Sequence, residues 1–459
     1  MPQRGYQARP GAEGGYQGRP AAEGGYQGRP RRDAPTEVLW APPPIRGAND
    51  PTVEIPAYRP PGHSELFDPL EDEFDSLDET DKWRGRPPHH PRAKLVRRVF
   101  LLALAAYLVL VASSMVPYLA APGTDTTAAR VAEWARDHNM GDLVTWLEKQ
   151  QYQNNQPKIG GKPANIPLAG AGAINGTGAG GRPAPAPLPP LAGGTALPGE
   201  GQWQTVVANA KGQPAVRFTQ VRPDTLHTSY LVGVMWIDPS LVRGQLRPGT
   251  TDPGGTWQAS TSLTTAEQQK VAAAFNAGFR LTKDASHGGY YSEGRTPVPL
   301  QDGAASLVMH TDGTAGVGSW NSEVKMDPTV ASVRQNLVML VDGGKVNPTC
   351  SSGSTVWGVT LGNVAYIDRS AFGITANGAE VYVGGDALSV CTLGRILQDA
   401  GVVHGMELDI NPEWITGVYY HTQPGGAPVG FHLYPSQQPP TTHYLSPSSR
   451  DWYGWFLRP

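Results

Sequence analysis

Residues 99–121 form an almost wholly apolar run without a charged side chain. A helix rises about 1.5 Å per residue, so this run is long enough to cross a hydrocarbon layer about 30 Å thick. The sequence therefore predicts a single transmembrane helix. A cleaved signal peptide is the competing interpretation. It is disfavoured because the run begins nearly a hundred residues into the chain and is too long for a signal h-region.

The charges that flank this run predict its orientation. The C-terminal flank carries both positive and negative charges. The N-terminal flank is rich in basic side chains: Lys82, Arg84, Arg86, Arg92, Lys94, Arg97 and Arg98. Because basic residues are retained on the cytoplasmic side, residues 1–98 should be cytoplasmic. Everything after residue 121 should then lie outside a cell membrane.

The tail before the membrane has a composition typical of disorder. Residues 5–30 repeat Gly-Tyr-Gln-(Ala or Gly)-Arg-Pro every ten residues, a tract too polar to form a core. Residues 65–81 carry nine carboxylates interleaved with apolar side chains. This segment is either an amphipathic helix that folds on a cytoplasmic partner or a solvated acidic tail, and the composition favours the tail.

The overall charge gives no case for a nucleic-acid partner. The formal net charge is -3 and the isoelectric point is near 6.4. A nucleic-acid-binding domain is expected to carry a basic surface, so we expect no nucleic acid among the partners.

The chain beyond the membrane divides into three parts. Residues 122–152 predict a short helical stalk with helices at 126–138 and 142–152. Residues 153–200 are rich in Gly, Pro and Ala and predict a flexible linker. Residues 201–459 predict an exported domain.

Many short apolar segments and few helical ones characterise this domain. Its fold class is predicted as α+β, with a mixed, largely antiparallel sheet. The clearest predicted strands are 215–221, 229–237, 337–341, 359–367 and 380–383, and the clearest predicted helices are 266–274 and 393–400.

Both cysteines of the chain, Cys350 and Cys391, fall in this domain. In an oxidising compartment a disulfide between them is the natural expectation, because their number is even and their location is shared. Two buried free thiols are the alternative.

The segment 404–411 alternates between polar and apolar residues with a period of two. On a strand this alternation places Met406, Leu408 and Ile410 toward the core and Glu407, Asp409 and Asn411 on the other face. Two carboxylates that lie close together can act as a general acid and a general base. This face is therefore the first candidate for a functional site.

Four segments in order resemble the phosphodiester glycosidase family over residues 216–435. They are the strand end Phe275-Asn276-Ala277-Gly278-Phe279, the strand followed by a turn at 337–345, the strand Asp368-Arg369-Ser370-Ala371-Phe372-Gly373-Ile374, and the acidic tip. The family closes this tip with Asp-Gly-Gly-Gly-Ser, whereas Asp409 is followed by Ile410-Asn411-Pro412-Glu413-Trp414. The resemblance implies a hydrolase of a sugar 1-phosphodiester or a related cell-envelope glycan linkage.

The resemblance and the residue chemistry together give each candidate a role. Asp409 stands where the family has an Asp, and it is expected to transfer a proton or to stabilise positive charge; capping the following turn or binding calcium with Asn411 is the alternative. The alternation makes Glu407 the second catalytic candidate. Arg369 matches the family's arginine, and its planar guanidinium suits two phosphate oxygens, although a salt bridge to a strand carboxylate is equally compatible.

Further polar residues are expected to contact substrate. Asn276 ends an apolar strand and either hydrogen-bonds sugar hydroxyls or fixes the turn at Gly278. Arg280 replaces a family Phe. His287, in a Gly-rich loop, is a candidate general acid, although a structural role within the loop is favoured. The alternative function for the whole domain is a non-catalytic protein that binds or scaffolds cell-envelope glycan.

Overall fold

A computed structural model describes residues 91–166, 172–174, 180–352, 355–358 and 366–459 of the chain. The predicted disordered tail and the acidic segment at 65–81 lie outside the described residues, apart from positions 91–98.

Three helices open the described part of the chain: α1 (Pro91–Leu119), α2 (Thr127–Asp137) and α3 (Gly141–Asn154). Within α1, Lys94–Leu119 is long and apolar enough to cross a membrane, by length and composition, and most of its apolar side chains are exposed. Helices α2 and α3 lie within two residues of their predicted bounds. Thr126 caps α2 by accepting a hydrogen bond from the backbone N–H of Ala129.

The three helices pack against one another. Trp134 and Val144 are buried in a small apolar cluster with Val111 and Met115 of α1. The indole N–H of Trp134 also donates to Ser114 Oγ at 3.0 Å. The α2–α3 hairpin is therefore fixed to the last turns of α1.

Strands and two further helices make up the rest of the described fold. Every pairing between these strands is antiparallel, and the one isolated bridge, Trp320 with Val324, is parallel. In chain order the strands are β1 (Gln204–Ala208), β2 (Pro214–Val221), β3 (Val232–Ile237), β4 (Val242–Arg247), β5 (Val271–Asn276), β6 (Tyr290–Ser292), β7 (Arg295–Val298), β8 (Ala305–His310), β9 (Ala315–Ser319), β10 (Val330–Gln335), β11 (Met339–Asp342), β12 (Lys345–Val346), β13 (Ile367–Thr375), β14 (Glu380–Leu388), β15 (Val402–Glu407), β16 (Gly417–His421), β17 (Val429–His432) and β18 (Trp452–Leu457). The helices are α4 (Thr265–Gln268) and α5 (Val390–Asp399).

The strands form three sheets. An eight-stranded sheet has the order β1-β2-β3-β14-β13-β15-β11-β12. Two five-stranded sheets have the orders β7-β6-β10-β8-β9 and β17-β16-β5-β18-β4. Apolar side chains from all three sheets, among them Phe275, Phe372 and Leu307, share one core. The expected mixed architecture with mostly antiparallel sheets and few helices is thus confirmed.

The helix predicted at 266–274 is wrong over most of its length. Only the short helix α4 forms, and β5 begins at Val271. The alanines that favour a helix lie in a fully buried strand between β16 and β18. Strand pairing at the centre of a sheet overrides this local propensity, which is worth only a few tenths of a kcal/mol per residue.

Two other predicted elements also have shifted bounds. Helix α5 begins at Val390, before the expected residue 393, because the side chain of Ser389 caps it. Of the strand expected at 359–367, residues 359–365 lie outside the described part of the chain, and only Ile367 belongs to a strand, β13.

Helix α5 covers one face of the eight-stranded sheet through Leu393, Ile396 and Leu397. Cys391, in its first turn, is bonded to Cys350, with the two Cα atoms 5.0 Å apart. The predicted disulfide is confirmed, and it ties α5 to the segment after β12.

Part of the predicted linker contacts the domain. Arg182 pairs with the buried carboxylate of Asp238 at 2.7 Å. Leu188 is buried against the eight-stranded sheet, and Glu200 accepts from the Arg222 guanidinium at 2.8 Å. These contacts hold residues 180–200 on the domain, while the domain boundary at residue 201 stays a prediction.

Candidate functional site

Strand β15 carries the chain to Asp409. Beyond Glu407 the pairing with β13 continues, since Leu408 N donates to Ser370 O and Ser370 N donates to Asp409 O, each at 2.8 Å. The Asp409 Oδ1 atom then accepts the backbone N–H groups of Ile410 at 2.7 Å and Asn411 at 3.0 Å. One carboxylate oxygen therefore caps the turn, and these bonds fix the direction of the other.

Asp409 lies in a cleft of about 250 Å³. Four predicted site residues line this cleft: Asp409, Asn411, Arg280 and His287. The remaining lining residues are Arg136, Thr145, Glu148, Tyr152, Phe279, Ile367, Ile410, Trp414 and Arg450. Glu407, Arg369 and Asn276 are not among them, so the structure brings together only part of the expected set.

Arg369 and Glu407 form a buried ion pair inside the eight-stranded sheet. The Arg369 guanidinium donates to Glu407 Oε1, and its Nε donates to Leu388 O at 3.0 Å. Burial raises the pKa of the Glu407 carboxyl, and the charge of Arg369 opposes that rise. Phosphate binding by Arg369 and catalysis by Glu407 stay predictions, and both require this pair to open.

Asn276 joins three strands from a buried position. Its Nδ2 donates to Ser370 Oγ at 3.0 Å, and its Oδ1 accepts from Tyr382 OH at 2.8 Å and from Thr416 N at 3.2 Å. Ser370 Oγ accepts in turn from the backbone N–H of Asp409 at 3.1 Å. Asn276 thus supports the backbone that carries Asp409.

Arg450 is the principal site residue that the sequence analysis missed. Its Nη2 lies 4.0 Å from Asp409 Oδ2, its Nε lies 3.4 Å from Asp252, and its guanidinium lies over the Trp414 ring at 5.1 Å. Burial raises the pKa of Asp409 to about 6, and the charge of Arg450 opposes the rise. The pKa of Asp409 therefore lies closer to neutral pH than that of an ordinary aspartate.

Helices α2 and α3 form one wall of the cleft. Arg280 pairs with Glu133 at 3.2 Å and with Asp137. Glu133 also accepts from Arg450 at 3.1 Å. Asn411 Nδ2 donates to Glu148 at 3.4 Å. The predicted stalk is thus part of the candidate site, and its acidic side chains pair with all three arginines of the cleft lining: Arg136, Arg280 and Arg450.

His287 lines the cleft from the loop that precedes β6. Its Nδ1 lies 3.3 Å from the backbone oxygen of Arg280, and its ring meets Phe279 edge to face with centroids 5.4 Å apart. These contacts fit a loop-fixing role as well as they fit proton transfer.

The pKa values of Tyr152 and Asp368 are also raised. The pKa of the Tyr152 hydroxyl is raised by burial and further by the charges of Asp368, Glu148 and Asp409. Desolvation, and then the nearby Asp386, raise the pKa of half-buried Asp368 to about 7. No local sequence signal distinguishes Asp368, because its surroundings come from distant segments.

A cluster of possible metal ligands lies outside the cleft. Among the described residues, ligand atoms of Glu323, Asp342 and His404 lie within 4.8 Å of one another, on a partly exposed surface outside the cleft lining. Calcium binding by Asp409 and Asn411 stays a prediction; there the Arg450 charge lies beside the carboxylate that would hold the ion.

Comparison with known proteins gives only distant structural likenesses. No protein-family model matches the chain, and no curated protein matches it. Among solved structures, it is similar to the zebrafish N-acetylglucosamine-1-phosphodiester alpha-N-acetylglucosaminidase catalytic domain auto-inhibited by its pro-peptide, with 15% identity and a TM-score of 0.37, covering 56% of this chain and 88% of that one.

Two further structures are similar at lower scores. A hypothetical protein from Synechocystis has 14% identity and a TM-score of 0.33 over 56% of this chain and 64% of its own. A putative exported protein from Burkholderia pseudomallei has 12% identity and a TM-score of 0.25 over 50% of this chain and 74% of its own. Likeness at this level does not establish a shared activity.

Proposed function

We propose that this protein is a membrane-anchored, extracytoplasmic hydrolase of a sugar 1-phosphodiester or a related cell-envelope glycan linkage. One observation carries the proposal: the Asp409 carboxyl, with a pKa of about 6, faces a cleft that Arg136, Arg280 and Arg450 also line. A titratable base beside several guanidinium groups suits hydrolysis next to a phosphate.

In the proposed reaction, Asp409 acts as the general base. Its carboxylate takes a proton from water as the water oxygen forms a bond to the anomeric carbon. The bond from that carbon to the phosphate oxygen breaks, and the phosphate monoester leaves with the electron pair. A phosphate is a good leaving group at neutral pH, so proton removal from water is the step that gains most from catalysis.

The cleft arginines are proposed to hold the phosphate. A guanidinium presents five N–H donors in a planar fork that matches two phosphate oxygens. Arg280 and Arg450 already pair with Glu133, so a phosphate would share or displace this carboxylate. Arg369, paired with Glu407, is a less direct candidate for the same task.

The proposed location follows from the flanking charges. The basic residues before α1 favour a cytoplasmic N-terminal tail, and a membrane-spanning α1 would then hold the cleft on the outer surface. The disulfide between Cys350 and Cys391 agrees with an oxidising compartment.

A non-catalytic glycan-binding or scaffold protein is the second candidate function. Two observations favour it: acidic side chains of α2 and α3 already pair with the arginines of the cleft, and one Asp409 oxygen is engaged in the turn. Such a cleft suits a neutral glycan, which is held by hydrogen bonds to polar side chains such as Asn411.

A hydrolysis assay on the full chain separates these functions. Purified protein in detergent is incubated with methyl diesters of glucose, mannose and N-acetylglucosamine 1-phosphate, and released sugar is measured. Hydrolysis that Asp409→Asn abolishes and Asp302→Asn leaves intact supports the proposal; Asp302 is exposed and hydrogen-bonds Asn321 outside the cleft. Glycan binding with no hydrolysis of any diester supports the scaffold.

A further inference from the structure

An apolar groove of about 560 Å³ lies between α2, α3 and the tip segment that follows Asp409. Its lining includes Val131, Ala135, Leu143 and Leu147. Leu143 and Leu147, one helical turn apart on α3, are each about half exposed, at 51% and 52%. Neighbouring half-exposed leucines along an open groove indicate a surface that binds an apolar partner.

The groove joins the candidate cleft. Arg136, Glu148, Tyr152, Asn411 and Trp414 line both spaces. Nη2 of Arg136 donates to Glu148 at 2.6 Å, and a guanidinium has five N–H groups, so phosphate oxygens can be held beside that carboxylate. An occupant that extends through both spaces would therefore place an apolar part in the groove and an anionic part at the junction.

The groove lies beside the end of the membrane-spanning candidate. The apolar part of α1 from residue 99 to Leu119 is about 31 Å long as a helix, which matches a hydrocarbon layer of about 30 Å. Trp134, which lines the groove, bonds Ser114, roughly 7.5 Å before the end of α1. If α1 crosses the bilayer, the groove opens at the boundary between acyl chains and headgroups.

Three observations agree: the groove is continuous with the cleft, Arg136 lines both, and the groove lies beside the end of α1. From them we infer that the substrate is a lipid-linked sugar phosphodiester whose hydrocarbon chain occupies the groove. This inference rests on the proposed function and names the substrate class of the same site. Hydrolysis would release the sugar into solution and leave the lipid phosphate in the membrane, by the bond changes given above. Water-soluble diesters would react at the same carboxylate without the binding contribution of the chain.

The test compares two substrates that differ only in the alcohol. The full chain is reconstituted in phosphatidylcholine nanodiscs and given the methyl and the hexadecyl diester of N-acetylglucosamine 1-phosphate. We expect kcat/KM to be at least tenfold higher for the hexadecyl diester. Leu143→Gln/Leu147→Gln should lower the hexadecyl-to-methyl ratio at least fivefold. Leu226→Gln, at a leucine of similar exposure outside the groove, should leave the ratio unchanged.

A binding measurement separates failure of this inference from failure of the proposed function. Non-hydrolysable phosphonate analogues of both diesters are titrated into the same nanodiscs. If neither diester is cleaved but the hexadecyl analogue binds at least tenfold more tightly than the methyl analogue, with the same loss in the double variant, the lipid inference stands and the hydrolase proposal fails. Equal kcat/KM for the two diesters, or equal affinity for the two analogues, overturns the lipid inference.

Discussion

Arg369 and Glu407 neutralise each other inside the eight-stranded sheet, where both side chains are about 99% buried or more. Removing one partner of a buried pair leaves an unpaired charge in a low-dielectric site, which typically costs about 3–5 kcal/mol. Replacing both by apolar residues of similar volume is often close to neutral.

We therefore expect Arg369→Met to lower the free energy of unfolding by about 3–5 kcal/mol, and Arg369→Met/Glu407→Leu to recover most of that loss. Urea unfolding followed by tryptophan fluorescence measures both. The control is Arg395→Met, at the exposed pair that Arg395 forms with Asp399 along α5, where about 0.5 kcal/mol is expected. An Arg369→Met protein as stable as Arg395→Met would contradict a structural role for the pair.

Local sequence patterns predicted part of this site, whereas contacts between distant segments could not be predicted from them. The alternation around Asp409 correctly places Met406 and Leu408 in the core, but Ile410, expected there too, is partly buried and lines the cleft because the strand ends at Glu407. The alternation does not predict that Arg369, on the neighbouring strand, forms an ion pair with Glu407, because that contact depends on sheet register. Arg450 and Glu133 meet from segments more than three hundred residues apart, and no spacing rule predicts such a contact.

Asp409 should also make stability depend on pH. Its pKa is raised from 3.8 to about 6 by folding, so the native state favours the protonated form. Protonated Asp409 therefore contributes to the free energy of unfolding below pH 4, and this contribution is lost as the pH rises through about 6. The loss is about 3 kcal/mol relative to a residue that does not titrate. Unfolding free energies of wild type and Asp409→Asn, measured from pH 4 to pH 7, should diverge in that direction. Parallel curves would rule out the raised pKa.

The disulfide ties α5 to the segment after β12 and closes a loop with a sequence separation of 41. Cys350→Ser/Cys391→Ser should lower the free energy of unfolding by about 2–4 kcal/mol, because the cross-link restricts the unfolded chain. Peptide mapping without reduction checks the bond itself. Two freely alkylated thiols in the native protein would show that it does not form.

The orientation can be tested in spheroplasts. Because basic residues precede α1, protease added to intact spheroplasts should digest the domain beyond residue 201 and spare the N-terminal tail. Antibodies against each end identify the surviving fragment, and lysed spheroplasts serve as the control in which both ends are digested. Protection of the C-terminal domain would reverse the assigned topology.

The pH dependence of hydrolysis by wild type and Asp409→Asn tests the central claim most directly. With Asp409 as the base, kcat/KM of the wild type on a sugar 1-phosphodiester should rise as the pH increases through about 6, where the carboxyl loses its proton. Asp409→Asn, which keeps the shape but cannot accept a proton, should be at least 100-fold slower and should lack this inflection. A folded Asp409→Asn protein with the rate and pH profile of the wild type would contradict the assignment.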